Sequence, residues 1–326
     1  LSAAVTIKIT AVGDCTFGGE LGSKGRRRFV DLAEANGYDY FFNNVRSIFE
    51  ADDLTIANLE GPLTSVTKKA KHGSFVFKGD PAYVNILTGS SVELCNVANN
   101  HALDFYQAGV ESTQAVLEEA GLPYGYENQG HLVTTKNGLR LGIWTSGNDL
   151  LPNKDKAVQG IQDLRAQGAD LVICMFHWGQ ELYYTPNGNQ TSLAHACIDA
   201  GADIVYGTHP HCLQPIEEYN GGIILYSMGN WSFGGNTTPT DMDTAIFQIT
   251  VMRDVDGSVS NAGCTIIPCC VSGRPVLEDY TAEAYNDYCP TPYVEGTEYY
   301  DRALSKITGG YDGPNLHIDY SSLNNG

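Results

Sequence analysis

The sequence predicts a layered α/β protein built on mixed β-sheets. Three observations predict it. Through the first two thirds of the 326 residues, apolar strand-like runs alternate with amphipathic helical stretches, the pattern of βαβ units. From Ile216 onward, strand-like runs follow one another without helices, the pattern of antiparallel pairing. A hydrophobic content of 42% is enough for a large core.

Val5 to Val12 alternates as a strand and ends at Gly13-Asp14. Phe41, Val45 and Phe49 share one face and predict a helix over Tyr40 to Phe49. Leu54 to Ala57 is a short buried strand ending at Asn58-Leu59-Glu60, and Phe75 to Phe77 reads as another. Pro81 to Leu87 suggests a helix with proline in its first turn. Val92 to Ala98 is a strand ending at Asn99-Asn100-His101. Gln107 to Ala120 is a helix stopped by Gly121. Strands follow at Leu139 to Ser146, Leu171 to Phe176 and Ile204 to Tyr206, separated by helices at Gly160 to Gln167 and Thr191 to Ala200.

The pattern then changes. Ile216 to Tyr219, Ile223 to Tyr226, Thr244 to Met252 and Ser258 to Cys270 read as consecutive strands, with Asn220-Gly221-Gly222 as a hairpin turn. Residues 5–275 form the expected domain. Residues 276–326 are polar, with one short helix over Tyr299 to Ile307, and read as a C-terminal wrap or tail.

Lys and Arg number 19 against 38 Asp and Glu, a formal net charge of -19. That field repels nucleic acid and anionic membrane surfaces. An anionic substrate would need local cations, and the cluster Lys24, Arg26, Arg27 and Arg28 is the strongest near Asp14 in sequence. No apolar run approaches the ~20 residues that span a bilayer. The chain starts Leu1-Ser2-Ala3-Ala4 without methionine, and the expectation is that an upstream segment once preceded it. The nine cysteines include no Cys-x-x-Cys pair and do not form a disulfide framework, although Cys264, Cys269, Cys270 and Cys289 leave room for one bridge.

The chemistry lies at the strand ends. Asp14, Asn58 and Glu60, Asn100 and His101, His177 with Glu181, His209 and His211, and Asn230 each follow or adjoin an apolar run. In open α/β sheets, ligands bind beyond the carboxyl ends of the strands. Carboxylate, amide oxygen and imidazole suit zinc, manganese or iron, and a carboxylate such as Glu60 or Asp14 can bridge two ions. Singly, each residue also reads as a turn former or a wall residue; five independent coincidences of position would be needed to explain the set that way. No Gly-x-Ser-x-Gly elbow, phosphate-binding P-loop or dinucleotide fingerprint competes with it.

These residues carry a resemblance. The order Gly13-Asp14, Asn58-Leu59-Glu60, Asn99-Asn100-His101, His177-Trp178-Gly179-x-Glu181, Gly207-Thr208-His209-Pro210-His211 and Tyr226-Ser227-Met228-Gly229-Asn230 resembles the CapA/PgsA-type capsule synthesis family of the calcineurin-like metallophosphatase superfamily. The resemblance covers roughly residues 6–275 and implies a four-layered sandwich of two mixed sheets flanked by helices. It implies a role in poly-γ-glutamate capsule formation at the cell surface, with one or two divalent ions as cofactor. An anionic polymer or small molecule would be the substrate and capsule-synthesis membrane proteins the partners, with an N-terminal anchor outside this sequence.

Carried over by motif, one ion would see Asp14, Glu60 and His211, and the other Glu60, Asn100, His177 and His209. His101 and Glu181 are the expected catalytic residues; Asn58, Asn230, Arg27 and Trp178 are the expected substrate contacts. Two departures stand out. Thr16 occupies the place of a histidine usual in the superfamily's first motif, and Glu60 stands where an aspartate is usual. Two functions fit: a metal-dependent hydrolase of phosphoester or amide bonds, or a non-catalytic polymer-binding or assembly factor on the same fold.

Overall fold

Burial on both faces explains why the central strands read as continuous apolar runs. The computed structural model describes residues 4–22, 28–70, 75–277 and 286–316. In chain order, the first half contains β1 (Val5–Thr16), α1 (Phe29–Asn36), α2 (Arg46–Phe49), β2 (Leu54–Leu59), α3 (Val84–Thr88), β3 (Leu94–Asn96), α4 (Tyr106–Glu119) and β4 (Tyr124–Gly125). Then come β5 (Gln129–Thr134), β6 (Arg140–Ser146), α5 (Lys154–Ala166), β7 (Leu171–His177), α6 (Gly188–Asp199) and β8 (Ile204–Thr208). The last part holds β9 (Ile216–Tyr219), β10 (Gly222–Leu225), β11 (Asn230–Phe233), β12 (Asp243–Arg253), β13 (Val259–Cys270), α7 (Gly273–Leu277), β14 (Thr291–Pro292) and α8 (Glu298–Thr308).

One sheet runs β14-β13-β12-β1-β2-β3-β4, with β11 also paired to β1; the other runs β5-β6-β7-β8-β10-β9. Both mix parallel and antiparallel neighbours. Ile9, Ile56, Ile173, Tyr206 and Phe247 fill the space between the sheets. Phe29, Phe41, Phe42, Leu87 and Leu117 cover the outer face of the first sheet, and Trp144, Ile161, Leu164, Leu193 and Ile198 that of the second. The architecture is the expected four-layered sandwich of two mixed sheets flanked by helices.

Several element boundaries differ from the sequence expectation. The single helix over Tyr40 to Phe49 is instead a 3-10 turn at Tyr38–Tyr40 and the short α2. Asn43 and Asn44 interrupt it, and the Asn44 amide donates to Thr291 Oγ1 at 2.8 Å, a tertiary contact no local pattern announces. The strand at Phe75 to Phe77 reduces to one bridge between Phe77 and Glu20. Helix α5 starts at Lys154, six residues before the expected start, because the Asn153 side chain caps it through the Lys156 amide. The short helix α1 and strand β11 escaped the sequence pattern altogether. All nine cysteines are free thiols. Cys269 and Cys270, successive residues of β13, face opposite sides of their sheet, in two different core clusters.

The C-terminal stretch packs against the sandwich. Ala303 and Ile307 of α8 are fully buried in the inter-sheet core. Lys306 lies beside them, 3% exposed, with its Nζ 2.8 Å from Asp241 Oδ2 and 2.7 Å from Asp243 Oδ2. Arg302 donates to both oxygens of Asp243, at 2.7 and 2.6 Å. Two buried carboxylates thus meet two cations on one face of α8. Removing one cation leaves a buried charge uncompensated. Lys306→Met is therefore expected to lower stability by about 3–5 kcal/mol, read from urea denaturation against wild type.

Candidate metal centre

Parallel register brings the strand-end residues together. Asp14 of β1 is registered with Asn58 of β2, and Asn58 with Asn96 of β3. A chain of side-chain hydrogen bonds follows that register. Asn96 Nδ2 donates to Asn58 Oδ1 at 2.9 Å, and Asn58 Nδ2 donates to Asp14 Oδ1 at 2.7 Å. Glu60 follows β2 directly, its amide held by the Cys15 carbonyl at 2.8 Å. From the second sheet, β7 ends on His177, registered with Thr208 at the end of β8. His209 and His211 occupy the loop beyond β8. The site therefore lies where strand ends of both sheets meet.

Close backbone approach makes this meeting possible. A Cβ on Gly13 would lie 1.9 Å from the Gly229 carbonyl oxygen, which accepts the Asp14 amide at 3.0 Å. His209 (φ 97°) and His211 (φ 54°) hold left-handed backbone conformations that non-glycine residues rarely adopt. Leu182 (φ 57°) braces them by donating its amide to the Pro210 carbonyl at 2.7 Å. That contact ties the segment carrying Glu181 to the two histidines.

The donor atoms fall into two groups, each with its atoms within 4.8 Å of one another: Asp14, Glu60 and His177, and Glu181, His209 and His211. Glu60 is the centre of the arrangement. It is 1% exposed, and neither carboxylate oxygen has a hydrogen-bond partner among the described residues. Its Oε1 lies 3.7 Å from His177 Nε2 and 3.8 Å from both His101 Nε2 and His211 Nε2. Those spacings are too long for hydrogen bonds and within the span of two donors sharing one ion, whose bonds are about 2.0–2.2 Å. The buried Nδ1 of His209 also lacks a partner. An orphaned carboxylate among imidazoles is unfavourable alone and well suited to a divalent cation. The residues fit such an ion; the oxygen and nitrogen donors suit zinc, manganese or iron alike.

Electrostatics agree with this reading. Burial pushes the Glu60 carboxyl well up, with Asp14 adding to the shift, so the anion calls for a counter-charge. Burial pushes His177 and His209 down, assisted by the neighbouring imidazoles, which keeps both neutral and able to coordinate. His211 behaves differently. Burial opposes its charged form, but the carboxylates of Glu60 and Asp14 outweigh burial and raise it to about 10.

The remaining expected residues divide by position. Asn100 Oδ1 lies 3.0 Å from His177 Nε2, at the edge of the ligand set. His101 is held at Nδ1 by Asp104 Oδ2 at 2.8 Å, with its ring against Phe77. Glu181 lies among the candidate metal donors, whereas the sequence reading gave it a catalytic role. His211 lies between the two groups: it joins His209 and Glu181, and its ring nitrogens are 3.3 Å from Asp14 Oδ2 and 3.8 Å from Glu60 Oε1, the neighbours the motif mapping gave it. Three expected substrate contacts prove internal. Asn58 is fully buried with its amide engaged by Asp14 and Asn96. Trp178 is buried between Phe176 and Tyr226 and donates to the Tyr226 carbonyl. Asn230 is 7% exposed and places its Oδ1 2.9 Å from His211 Nδ1, so it orients a histidine. Arg27 lies outside the described residues.

Asp104, Asn96 and Thr208 were given no role from sequence, although Asp104 closes the Asn100–Asp104 motif and Thr208 lies in the Gly207–His211 motif. Thr208 Oγ1 sits 2.9 Å from His177 Nδ1. Asp104 carried a usable signal, its place three residues after His101 on a turn. Asn96 and Thr208 carried none, since their role comes from cross-strand register.

A family model described as bacterial capsule synthesis protein PGA_cap matches residues 8–234. The chain is 31% identical over 253 residues to the PGA biosynthesis protein CapA of Bacillus subtilis (strain 168), covering 71% of this chain and 66% of that one. It is 30% identical over 268 residues to the capsule biosynthesis protein CapA of Bacillus anthracis, covering 74% and 63%. The chain thus spans slightly less than two thirds of either relative's length. Among solved structures, a hypothetical protein from Thermus thermophilus matches with a TM-score of 0.50 at 14% identity, over 80% of this chain and 98% of that one, a likeness of fold alone.

Two outcomes are expected. Asn58→Leu removes the brace on Asp14 and should weaken metal affinity roughly 10–100-fold, measured by competition with a chromogenic chelator. Because protons compete with a cation for carboxylates and imidazoles, metal retained after dialysis should be lower at about pH 5.5 than at about pH 7.5.

Proposed function

The chain belongs to the bacterial capsule synthesis protein family PGA_cap, and from that premise we propose that it is a metal-dependent hydrolase. It would act in synthesis or processing of an anionic capsule polymer such as poly-γ-glutamate at the bacterial cell surface. The observation that carries the reading is Glu60, a buried carboxylate without a hydrogen-bond partner among the described residues, faced by three imidazole nitrogens at 3.7–3.8 Å. No helix among the described residues is long and apolar enough to cross a membrane.

Asp14, Glu60 and His177 would hold one ion, and Glu181, His209 and His211 a second. A bound divalent ion lowers the pKa of a coordinated water to about 7 and polarises the group to be cleaved. The protein's own contribution centres on His101. Asp104 fixes its Nδ1, setting the ring's direction and stabilising an imidazolium. Its Nε2 then holds a proton on the side facing Glu60, placed to protonate a leaving group. Asp14 is kept from wandering by Asn58, and His211 by Asn230. The bond cleaved would be a phosphoester or an amide such as a γ-glutamyl link.

A second reading, a polymer-binding or assembly factor without turnover, is favoured by Thr16. It stands where the superfamily usually has a histidine, and its buried Oγ1 has no hydrogen-bond partner among the described residues. Asp14, Glu60 and His177 still supply three donors to the first ion without that histidine, which supports the hydrolase reading over this one.

Elemental analysis, combined with hydrolysis of a model phosphodiester and of a γ-glutamyl peptide, tests the proposal. Wild type should carry metal and turn over one of them, and His209→Ala should lose metal and activity together. His101→Gln should keep the metal yet lose roughly 10²–10⁴-fold in kcat. Metal-loaded protein without turnover of either bond would leave the assembly reading in place; protein unable to bind metal would sink both forms of the metal site.

A further inference from the structure

A protein of net charge -19 that handles an acidic chain must present cations where the chain meets the site. The basic cluster at residues 24–28 is the obvious place from sequence, but its one described member, Arg28, is held by Asp31 at 2.7 Å. The fold supplies cations elsewhere. Residues 65–70 cross the loop that carries His101, tied down by the Ala70 amide, which donates to the Asp104 carbonyl at 2.8 Å. Asp104 is the residue that holds His101. This crossing carries Lys68 and Lys69, neither of which has a carboxylate within ion-pairing distance among the described residues. The Lys68 ammonium instead lies over the Tyr106 ring, 5.4 Å from its centroid.

Tyr106 is the second unusual feature. It is 46% exposed and has a left-handed backbone (φ 55°) at the first residue of α4. Strained conformations persist where surrounding structure over-determines them, and they cluster at ligand-contacting positions. Leu103, in the same loop, is 41% exposed. The Lys68 ammonium, an exposed aromatic ring and an exposed apolar side chain therefore lie on the segment pair that Ala70 ties to the His101 loop, with Lys69 next to Lys68 in the chain. Lysines present separate, strongly hydrated point charges, which match carboxylates spaced along a flexible chain; dense phosphates are better met by arginine forks.

We propose that Lys68, Lys69 and Tyr106 form a docking surface for a polycarboxylate chain, holding the segment next to the bond or chain end at the metal centre. The inference rests on the capsule-polymer reading above, and names the surface that reading lacks. Lys68 and Lys69 attract the chain's carboxylates against the protein's overall charge, and Tyr106 covers its methylene groups.

The test is fluorescence anisotropy with labelled poly-γ-glutamate of defined length, at several salt concentrations, on wild type, Lys68→Gln/Lys69→Gln and Tyr106→Ala. Inorganic polyphosphate of matched charge forms a second arm, and metal content is measured on every variant as a control for folding. Wild type is expected to bind the polycarboxylate. The double variant should bind it roughly tenfold more weakly with a flatter salt dependence, at unchanged metal content. Equal binding by the double variant, no binding by wild type, or lysine-dependent binding of polyphosphate in preference to polycarboxylate would overturn the proposal. The two readings fail separately: turnover with lysine-independent binding removes the surface and leaves the hydrolase. Lysine-dependent binding without turnover removes the hydrolase and leaves the surface.

Discussion

Two buried carboxylates, Asp14 and Glu60, set the terms for everything around them. A carboxylate removed from water is strongly unfavourable unless hydrogen bonds or cations replace its hydration. Asp14 receives hydrogen bonds from Asn58 and from the His209 amide. Glu60 receives none among the described residues, and faces three imidazoles instead. The cluster is unfavourable alone and has the donor set to hold a divalent ion. The surrounding features follow from it: the amide ladder through Asn58 and Asn96, the strained backbone at His209 and His211, and the Leu182–Pro210 hydrogen bond.

Two clusters in the protein handle buried charge in opposite ways. Near α8, Asp241 and Asp243 are neutralised by Lys306 and Arg302, side chains of the chain itself. That arrangement is closed and structural, and it attaches the C-terminal stretch to the sandwich. At the strand ends, no lysine or arginine among the described residues pairs with the Glu60 carboxylate, which faces imidazoles instead. The contrast separates a structural ion network from a functional site better than any count of charged residues.

Much of the site was legible because strand ends are legible. An apolar run that stops at Asp14, Asn100, His177 or His209 announces both a strand and the residue delivered to its rim. What stayed hidden depended on distance in sequence. Asn58 and Asn230 sit at strand ends like the ligands do, yet they serve as braces, because register places an acceptor or a ring beside each amide. Trp178 follows His177 directly, but the alternation of a strand turns it to the opposite face, into the core. The helix expected at Tyr40 to Phe49 had a convincing apolar face, and Asn43-Asn44 broke it through a contact 247 residues away.

The sequence by itself determined the fold class, the polar residues at the strand ends and the departure at Thr16. These depend on periodicity and motif order, which are properties of neighbouring residues. Only the tertiary structure decided which donor atoms lie together, why Glu181 stands with His209 and His211, and that Lys68 lies over Tyr106. Those outcomes depend on how two sheets stack and which loops cross. Packing brings together residues from far apart in the chain, and their separation along the sequence carries no record of it.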